Sequence, residues 1–122
     1  MKSNFRFEKE STHLIMTVSG EYDFPDFVDY LKIICAKCEE EGNYSMLLNI
    51  LGVEGIDVPT LERYFLGIEA AEQLKYKIKL AVVWHAEFTT HLAEAVAINS
   101  GSYVKVFGST EPALAWLITS QS

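Results

Sequence analysis

The chain has 122 residues, enough for one domain over residues 1–122, and 49% of them are hydrophobic, enough for a core that needs no disulfide or metal. Its 17 acidic and 10 basic residues give a formal net charge of −7, which disfavours nucleic acid and anionic bilayers as partners. The longest apolar runs, residues 46–51 and 78–84, are too short to span a bilayer, and the N-terminal residues contain no apolar secretory segment. We therefore expect a cytoplasmic protein that binds no nucleic acid and does not insert into membranes.

Two strands separated by a short polar turn begin the predicted fold. Residues 5–8 form the first strand and residues 13–19 the second, in which Leu14, Met16 and Val18 share one side. Because the two strands are so close in sequence, we predict that they pair as an antiparallel hairpin.

The next segment has signals for both ends of a helix. Asp23 is a good N-cap, and Asp26 follows in the first turn, where a carboxylate interacts favourably with the helix dipole. Gly42 directly follows Glu41 and is typical of a helix C-terminus. These residues predict a helix that starts after Asp23 and runs to about Glu41.

The two cysteines, Cys35 and Cys38, have the C-x-x-C spacing of redox motifs. Redox cysteines lie at a helix N-terminus, where the helix dipole lowers the thiol pKa. Here both lie deep within the predicted helix, on the apolar stripe formed with Phe27, Leu31 and Ile34. We interpret them as core residues, and two thiols without further ligands make a poor zinc site.

Strands and helices alternate over the rest of the chain. The predicted strands cover residues 44–51, 78–84 and 103–107, and the predicted helices cover residues 58–75, 88–99 and a last segment capped by Thr110. The order ββαβαβαβα predicts an α/β fold, with a single mixed five-stranded sheet that is antiparallel only at its N-terminal hairpin. The side chains expected to be largely buried are Leu47, Ile50, Phe65, Val82, Leu92 and Trp116.

The helix predicted over residues 58–75 has more apolar side chains than one core-facing stripe needs. Leu61, Phe65 and Ile68 follow one line along the helix and are expected to face the core. Tyr64, Leu66 and Ala70 lie off that line. Together with Trp84 at a strand end and Ile98 on the next predicted helix, they form an apolar surplus. Such a surplus, gathered on one side, suits a partner or a second copy of the chain.

Residues 48–60 form the most distinctive segment, L-N-I-L-G-V-E-G-I-D-V-P-T, in which an apolar strand leads through a Gly-rich turn to an Asp and a helix start. The segment resembles the strand–loop–helix signature of the STAS superfamily, the anti-sigma-factor antagonists and SpoIIAA-like proteins, which reads roughly L-D-L-S-x-V-x-F-I-D-S-S-G-L. Residues 106–117, V-F-G-S-T-E-P-A-L-A-W-L, are similar to the closing strand and A-L-x-W-L helix of SpoIIAA-like proteins of unassigned role. The resemblance covers roughly residues 12–119 and implies the SpoIIAA-like, or STAS, fold.

Three positions depart from the antagonist pattern. Asn49 stands at the first Asp, Leu51 at the Ser of D-L-S, and Pro59 at the Ser that a partner kinase phosphorylates. Proline has no hydroxyl, so the comparison implies a domain that lacks this phosphoacceptor. The adjacent Thr60 could accept a phosphate at the same helix start, where the dipole stabilises an anion.

Asp57 and Thr60 each have two interpretations. In the structural one, Asp57 is the N-cap of the second helix, Pro59 lies in its first turn, and Thr60 helps to close that turn from position N3. In the functional one, the same residues bind a partner or are the site of regulation. The sequence leaves both interpretations open.

One group of residues has metal-ligating chemistry. His85 follows a predicted strand at the edge where α/β proteins place their sites, and Glu87 and His91 come shortly after it. They could meet only if His91 pointed back over the start of its helix, and no fourth ligand is apparent, so we expect no metal and no cofactor. The sequence contains no phosphate-binding loop, nucleophile elbow or dinucleotide fingerprint, and we predict no catalytic residues.

The resemblance and the apolar surplus lead to one functional hypothesis and one alternative. The hypothesis is a non-enzymatic, cytoplasmic STAS-like regulatory or protein-interaction domain that contacts a protein partner or forms a homodimer. Its candidate interaction surface comprises Glu54, Asp57, Thr60, Arg63, Tyr64 and Leu66. The alternative is a binder of a small apolar ligand or lipid, which the similarity of SpoIIAA-like folds to CRAL-TRIO lipid-exchange domains implies.

Overall fold

Five strands and three helices are present in the computed structural model, which describes residues 2–54, 58–75, 77–85 and 103–119. In chain order they are β1 (Ser3–Lys9), β2 (Leu14–Glu21), α1 (Phe24–Glu41), β3 (Ser45–Glu54), α2 (Thr60–Leu74), β4 (Lys79–Val83), β5 (Tyr103–Phe107) and α3 (Thr110–Ile118). Each of the five strands lies close to its predicted position, whereas the helix predicted over residues 88–99 lies outside the described residues. The predicted α/β fold with one mixed five-stranded sheet is confirmed.

The strands lie in the sheet in the order in which they occur in the chain, β1-β2-β3-β4-β5. β1 pairs antiparallel with β2, as predicted, and the other three pairings are parallel. Gly20, near the end of β2, has a φ of +111°, and a Cβ there would lie 2.9 Å from the carbonyl oxygen of Lys2. Glycine therefore lets β1 and β2 approach closely where the hairpin opens towards α1.

The core lies on both faces of the sheet. α1 and α2 pack on one face, and α3 packs on the other face over β3, β4 and β5. Buried side chains of the first face include Leu14, Met16, Val18, Tyr30, Ile34, Met46, Leu74 and Leu80. Those of the second face are Leu47, Ala81, Val83, Ala113 and Leu117. A sheet covered on both faces explains why β3 and β4 read as nearly continuous apolar runs.

α1 begins and ends as the sequence predicts. The carboxylate of Asp23, the N-cap, accepts a hydrogen bond of 3.2 Å from the backbone N–H of Asp26. At the other end Gly42 has a left-handed φ of 65°. Both capping residues act on neighbouring backbone groups, so they predict the two helix ends without reference to the rest of the fold. For α3 the N-cap is Ser109, so the prediction that Thr110 caps this helix was wrong by one residue.

The buried carboxylate of Asp26 ties β1 to the start of α1. Its Oδ2 accepts hydrogen bonds from the backbone N–H of Lys2 at 2.9 Å and from the hydroxyl of Ser3 at 3.2 Å. The Ser3 hydroxyl also bonds to the phenol of Tyr30 on α1. Burial acts to raise the pKa of Asp26, but the hydrogen bonds from Lys2 and Ser3 outweigh it and hold the pKa below its ordinary value.

Most of the predicted core positions are buried or half-buried. Leu47 and Ile50 are buried, Val82 and Trp116 are half-buried, and Leu92 lies outside the described residues. Phe65 is the exception, because it is exposed. No helix in the described ranges is both long enough and apolar enough to cross a membrane.

Candidate functional site

The candidate surface lies at the carboxyl edge of the parallel strands, where β3 ends and α2 begins. Glu54, the last residue of β3, is exposed, and so is Thr60, the first residue of α2. Val58 is buried and fixes the chain just before the helix. Asp57, the remaining predicted residue of this connection, lies outside the described residues.

The start of α2 has no side-chain cap. Pro59 is the N-cap, with φ −57° and ψ 143°, and its side chain has no group that could accept a hydrogen bond. The expectation that Asp57 caps this helix, with Pro59 in its first turn and Thr60 at N3, was therefore wrong: Thr60 is the first helical residue. The acidic residue of the first turn is Glu62, which suits the helix dipole.

Tyr22 connects this helix start to the β2–α1 connection. Its hydroxyl donates to Oε1 of Glu62 at 2.8 Å, and its backbone N–H donates to the carbonyl of Glu54 at 2.8 Å. Burial, followed by the hydrogen bond to the Glu62 carboxylate, raises the pKa of Tyr22, so the phenol keeps its proton and remains a donor. One residue thus holds both the end of β3 and the first turn of α2.

Arg63, a predicted surface residue, is half-buried and also fixes the helix start. Its Nε donates to the carbonyl of Val58 at 3.0 Å. Its guanidinium lies over the ring of Trp84, 5.4 Å from the ring centroid, in a cation–π contact. Arg63 thus holds the end of the β3–α2 connection and the end of β4 together.

α2 turns a different face to the core from the one we predicted. Leu61 and Phe65 are exposed, so their placement in the core was wrong, and Ile68 is half-buried. The residues of α2 that are buried are Gly67, Ala70, Ala71 and Leu74, and Leu66 is half-buried against the same core. Small side chains on this face let α2 lie close against α1, whereas larger ones would hold the two helices apart.

The apolar surplus therefore consists of other residues than those predicted. Leu61, Tyr64 and Phe65, which we call the α2 patch, have 64%, 43% and 45% of their surface exposed. The rings of Tyr64 and Phe65 meet edge to face with centroids 5.7 Å apart. Of the members predicted on α2, Tyr64 stays in the patch and Leu66 and Ala70 leave it; Trp84 is half-buried, and Ile98 lies outside the described residues. Two aromatic rings and a leucine on one helix face are typical of a contact surface.

Of the residues with metal-ligating or redox chemistry, His85 and the two cysteines lie within the described residues. Nε2 of His85 donates to the carbonyl of Leu51 at 2.9 Å, and Glu87 and His91 lie outside the described residues. Among the described residues no three His, Cys, Asp or Glu side chains are close enough to hold a metal ion. Cys38 is buried, and burial raises its pKa to about 12, whereas Cys35 is half-buried. A buried, protonated thiol at position 38 fits the interpretation as a core residue.

Two residues of this site, Tyr22 and Trp84, are not among those predicted for the interaction surface, although Trp84 belongs to the predicted apolar surplus. The position of Tyr22 could have been recognised from the sequence, because it directly precedes the N-cap of α1. It contacts Phe27 in the first turns, with ring centroids 5.0 Å apart, as in a hydrophobic staple. For Trp84 no local pattern indicates that Arg63 will lie over it. That contact depends on how β4 and α2 meet.

Known proteins resemble this chain in structure and not in sequence. No family model and no curated protein sequence matches the chain. The crystal structure of an anti-sigma factor antagonist from Mycobacterium paratuberculosis is similar, with a TM-score of 0.63 at 14% identity over 94% of this chain and 93% of that one. An uncharacterized DUF3478-family protein with a SpoIIAA-like fold from Shewanella loihica has a TM-score of 0.54 at 15% identity, with the same coverage of 94% and 93%. The chain therefore has the SpoIIAA-like fold.

Proposed function

We propose that this protein is a non-enzymatic, cytoplasmic STAS-like regulatory or protein-interaction domain, and that it makes contact through the α2 patch and the adjoining helix start. The observation that supports this proposal best is the exposure of Leu61, Tyr64 and Phe65 together on one helix. The anti-sigma factor antagonist that shares the fold is named for an action on other proteins, which favours the same class of function.

The start of α2, which bears the patch, is held in place within the protein, so the contact surface is preformed. Tyr22 bonds to Glu62, and Arg63 bonds to Val58 and lies over Trp84, so the backbone that bears Leu61, Tyr64 and Phe65 is held from two sides. A preformed surface loses little conformational freedom on binding, and aromatic side chains lose less than long flexible ones. Little of the binding free energy is therefore spent on ordering the surface.

We propose further that this contact is not switched by phosphorylation anywhere in residues 58–60. Pro59 has no hydroxyl, and it holds the N-cap position of α2 with a backbone that suits proline. Incubation with anti-sigma kinases and ATP should leave the intact mass unchanged. Phosphate on Thr60, which is exposed beside Pro59, would contradict this part of the proposal.

Our proposed partner is a second copy of the chain, bound through a twofold contact between α2 patches. Fully burying an aromatic or aliphatic side chain contributes about 1.5–3 kcal/mol, so each member of the patch, which is already about half buried, contributes about half of that, and a twofold contact buries each member twice. The net charge of −7 opposes association, but salt screens charges more than about 8 Å apart at physiological ionic strength. The apolar contact is therefore expected to outweigh the repulsion.

Sedimentation equilibrium at micromolar concentrations tests this contact. The wild type is expected to show a dimer mass, and Phe65→Glu is expected to give a monomer, because two carboxylates would face each other in a dry interface. Ile118→Glu is the matched control: Ile118 is 55% exposed on α3, so this variant should remain dimeric. A monomeric wild type, or a dimer that Phe65→Glu leaves intact, would contradict the proposal.

The alternative function, binding of a small apolar ligand or lipid, is tested by native mass spectrometry of protein purified from its own host. A bound lipid would appear as an added mass that organic solvent removes. A cavity in the described structure is lined partly by hydroxyl and ammonium groups, including those of Ser45 and Lys79, which suit an acyl chain poorly. Because this lining suits a lipid poorly and the α2 patch is exposed, we favour the protein contact over lipid binding.

A further inference from the structure

A cavity of about 380 Å³ lies at the amino-terminal edge of the parallel strands, the edge opposite to the start of α2. Ser45, Lys79 and Tyr103 form one row across its floor, because Ser45 pairs in register with Lys79 and Lys79 with Tyr103. The last turn of α3, with Leu117 and Ile118, forms an apolar wall. Its volume is at the small end of the range for pockets that bind small molecules.

Lys79 is the unusual member of this cavity, because only 8% of its surface is exposed. Its ammonium donates to the carbonyl of Trp116 at 2.6 Å and to that of Thr119 at 3.1 Å, and it lies 4.5 Å from the centroid of the Trp116 ring. No carboxylate of the described residues lies within ion-pair distance of it. A buried ammonium without a counter-anion is costly, and its pKa is lowered by burial.

The other lysine of the cavity is in the opposite situation. Lys77 is exposed, and its ammonium forms an ion pair of 2.5 Å with Glu39. Its charge is therefore balanced by a carboxylate, whereas among the described residues the charge of Lys79 meets carbonyl groups and the ring of Trp116. The last carbonyl groups of α3 carry the negative end of the helix dipole and therefore offset part of the charge of Lys79.

We propose that the cavity binds a small monocarboxylate with a short apolar or aromatic body. The carboxylate would accept the third N–H of Lys79, and the body would lie against Leu117 and Ile118. A single negative charge completes the balance at Lys79, whereas a phosphate dianion would bring excess charge towards the last carbonyls of α3. This site is separate from the α2 patch, so the two proposals can fail independently.

The test uses wild-type protein labelled with ¹⁵N, with benzoate as the probe and benzamide as its uncharged counterpart. Benzoate at constant ionic strength should cause saturable amide shifts around residues 45, 79 and 103, and benzamide should bind at least about tenfold more weakly, the factor that one charge-assisted hydrogen bond contributes. Equal affinity for the two probes would overturn the proposal. So would shifts centred elsewhere, their absence up to about 10 mM benzoate, or equally tight binding of inorganic phosphate.

Two variants that each remove one lysine charge test whether the preference for benzoate arises at Lys79. Lys79→Met should abolish the preference for benzoate over benzamide, because it removes the ammonium and keeps a side chain of similar length. Lys105→Met removes the same charge from an exposed position on β5 that does not line the cavity, and it should keep the preference. A preference that survives Lys79→Met would overturn the proposal. If that variant does not fold without its bonds to α3, the wild-type titration still decides.

Discussion

α1 and α2 pack on the same face of the sheet, yet they use their apolar side chains in opposite ways. α1 buries large residues, Tyr30, Leu31 and Ile34 among them, and it is capped by Asp23 and Gly42. α2 buries mostly glycine and alanine, has no side-chain cap, and leaves its two aromatic residues exposed. The comparison indicates that α1 stabilises the fold, whereas α2 presents a surface.

The two ends of α2 support the same view. Its N-terminus has no side-chain cap and is held by contacts with other elements: Tyr22 bonds to Glu62, and Arg63 lies over Trp84. Its C-cap, Lys75, has a positive φ of 52°, where glycine is usual, so this end is less favourable than the glycine end of α1. α2 therefore depends on tertiary contacts more than α1 does.

The largest expected effect comes from truncating the core face of α1. Ile34→Ala should lower the free energy of unfolding by about 2–5 kcal/mol, because Ile34 is fully buried and the vacated volume cannot be refilled. Urea denaturation measures the change. Ile118→Ala is the same substitution at an exposed site and should cost far less; an equal loss in both variants would contradict the assignment of Ile34 to the core.

Removal of the α1 cap should have the next largest effect. Asp23→Ala is expected to cost about 1 kcal/mol, because the N–H of Asp26 then loses its acceptor. Asp23→Asn keeps an acceptor and should restore most of the loss. If both variants unfold at the same urea concentration as the wild type, the cap does not contribute to stability.

Protonation of Asp26 in acid is expected to cost less stability than these substitutions, because the protonated carboxyl group keeps part of its hydrogen bonding. The folded protein holds the pKa of Asp26 below its ordinary value, so the stabilisation is present above the unfolded pKa of about 3.9 and is lost as the pH falls through the folded pKa. The stability difference between wild type and Asp26→Asn should therefore be largest near neutrality and shrink in acid. Urea titrations from neutral to acidic pH would show a constant difference if this were wrong.

The smallest effect on stability is expected at the α2 patch. Phe65→Ala should change the free energy of unfolding of the monomer by only about 0.5 kcal/mol, because the ring is nearly half exposed. The same variant should nevertheless weaken self-association in the ultracentrifuge. A large loss of monomer stability would show that Phe65 belongs to the core after all.

The sequence was sufficient for α1 and insufficient for α2, for a physical reason. Asp23 and Gly42 act through neighbouring backbone groups, so their spacing alone predicts both ends of the helix. In α2, Leu61 and Phe65 lie on a line as regular as that of Ala70 and Leu74, and choosing the larger residues for the core gave the wrong face. Close packing against α1 decided between them, and no local pattern records that packing.

At the candidate sites, too, the sequence predicts local features and does not predict contacts between distant residues. The sequence predicted to within a few residues where β3 ends and α2 begins, because a strand end followed by a helix start is a local signal. It did not indicate that Lys79 would meet the carbonyl of Trp116, which is 37 residues away in the chain. A buried lysine on a strand differs from an exposed one only through such distant contacts.

The order of the strands has a consequence for how the molecule folds. Because β1 to β5 follow one another across the sheet, each strand pairs with the strand that precedes it in the chain. No strand has to be inserted between two that have already paired, so the loop closed at each step is short and its entropic cost is modest. During synthesis each strand can join the growing edge of the sheet soon after it leaves the ribosome, with the hairpin of β1 and β2 as the first template.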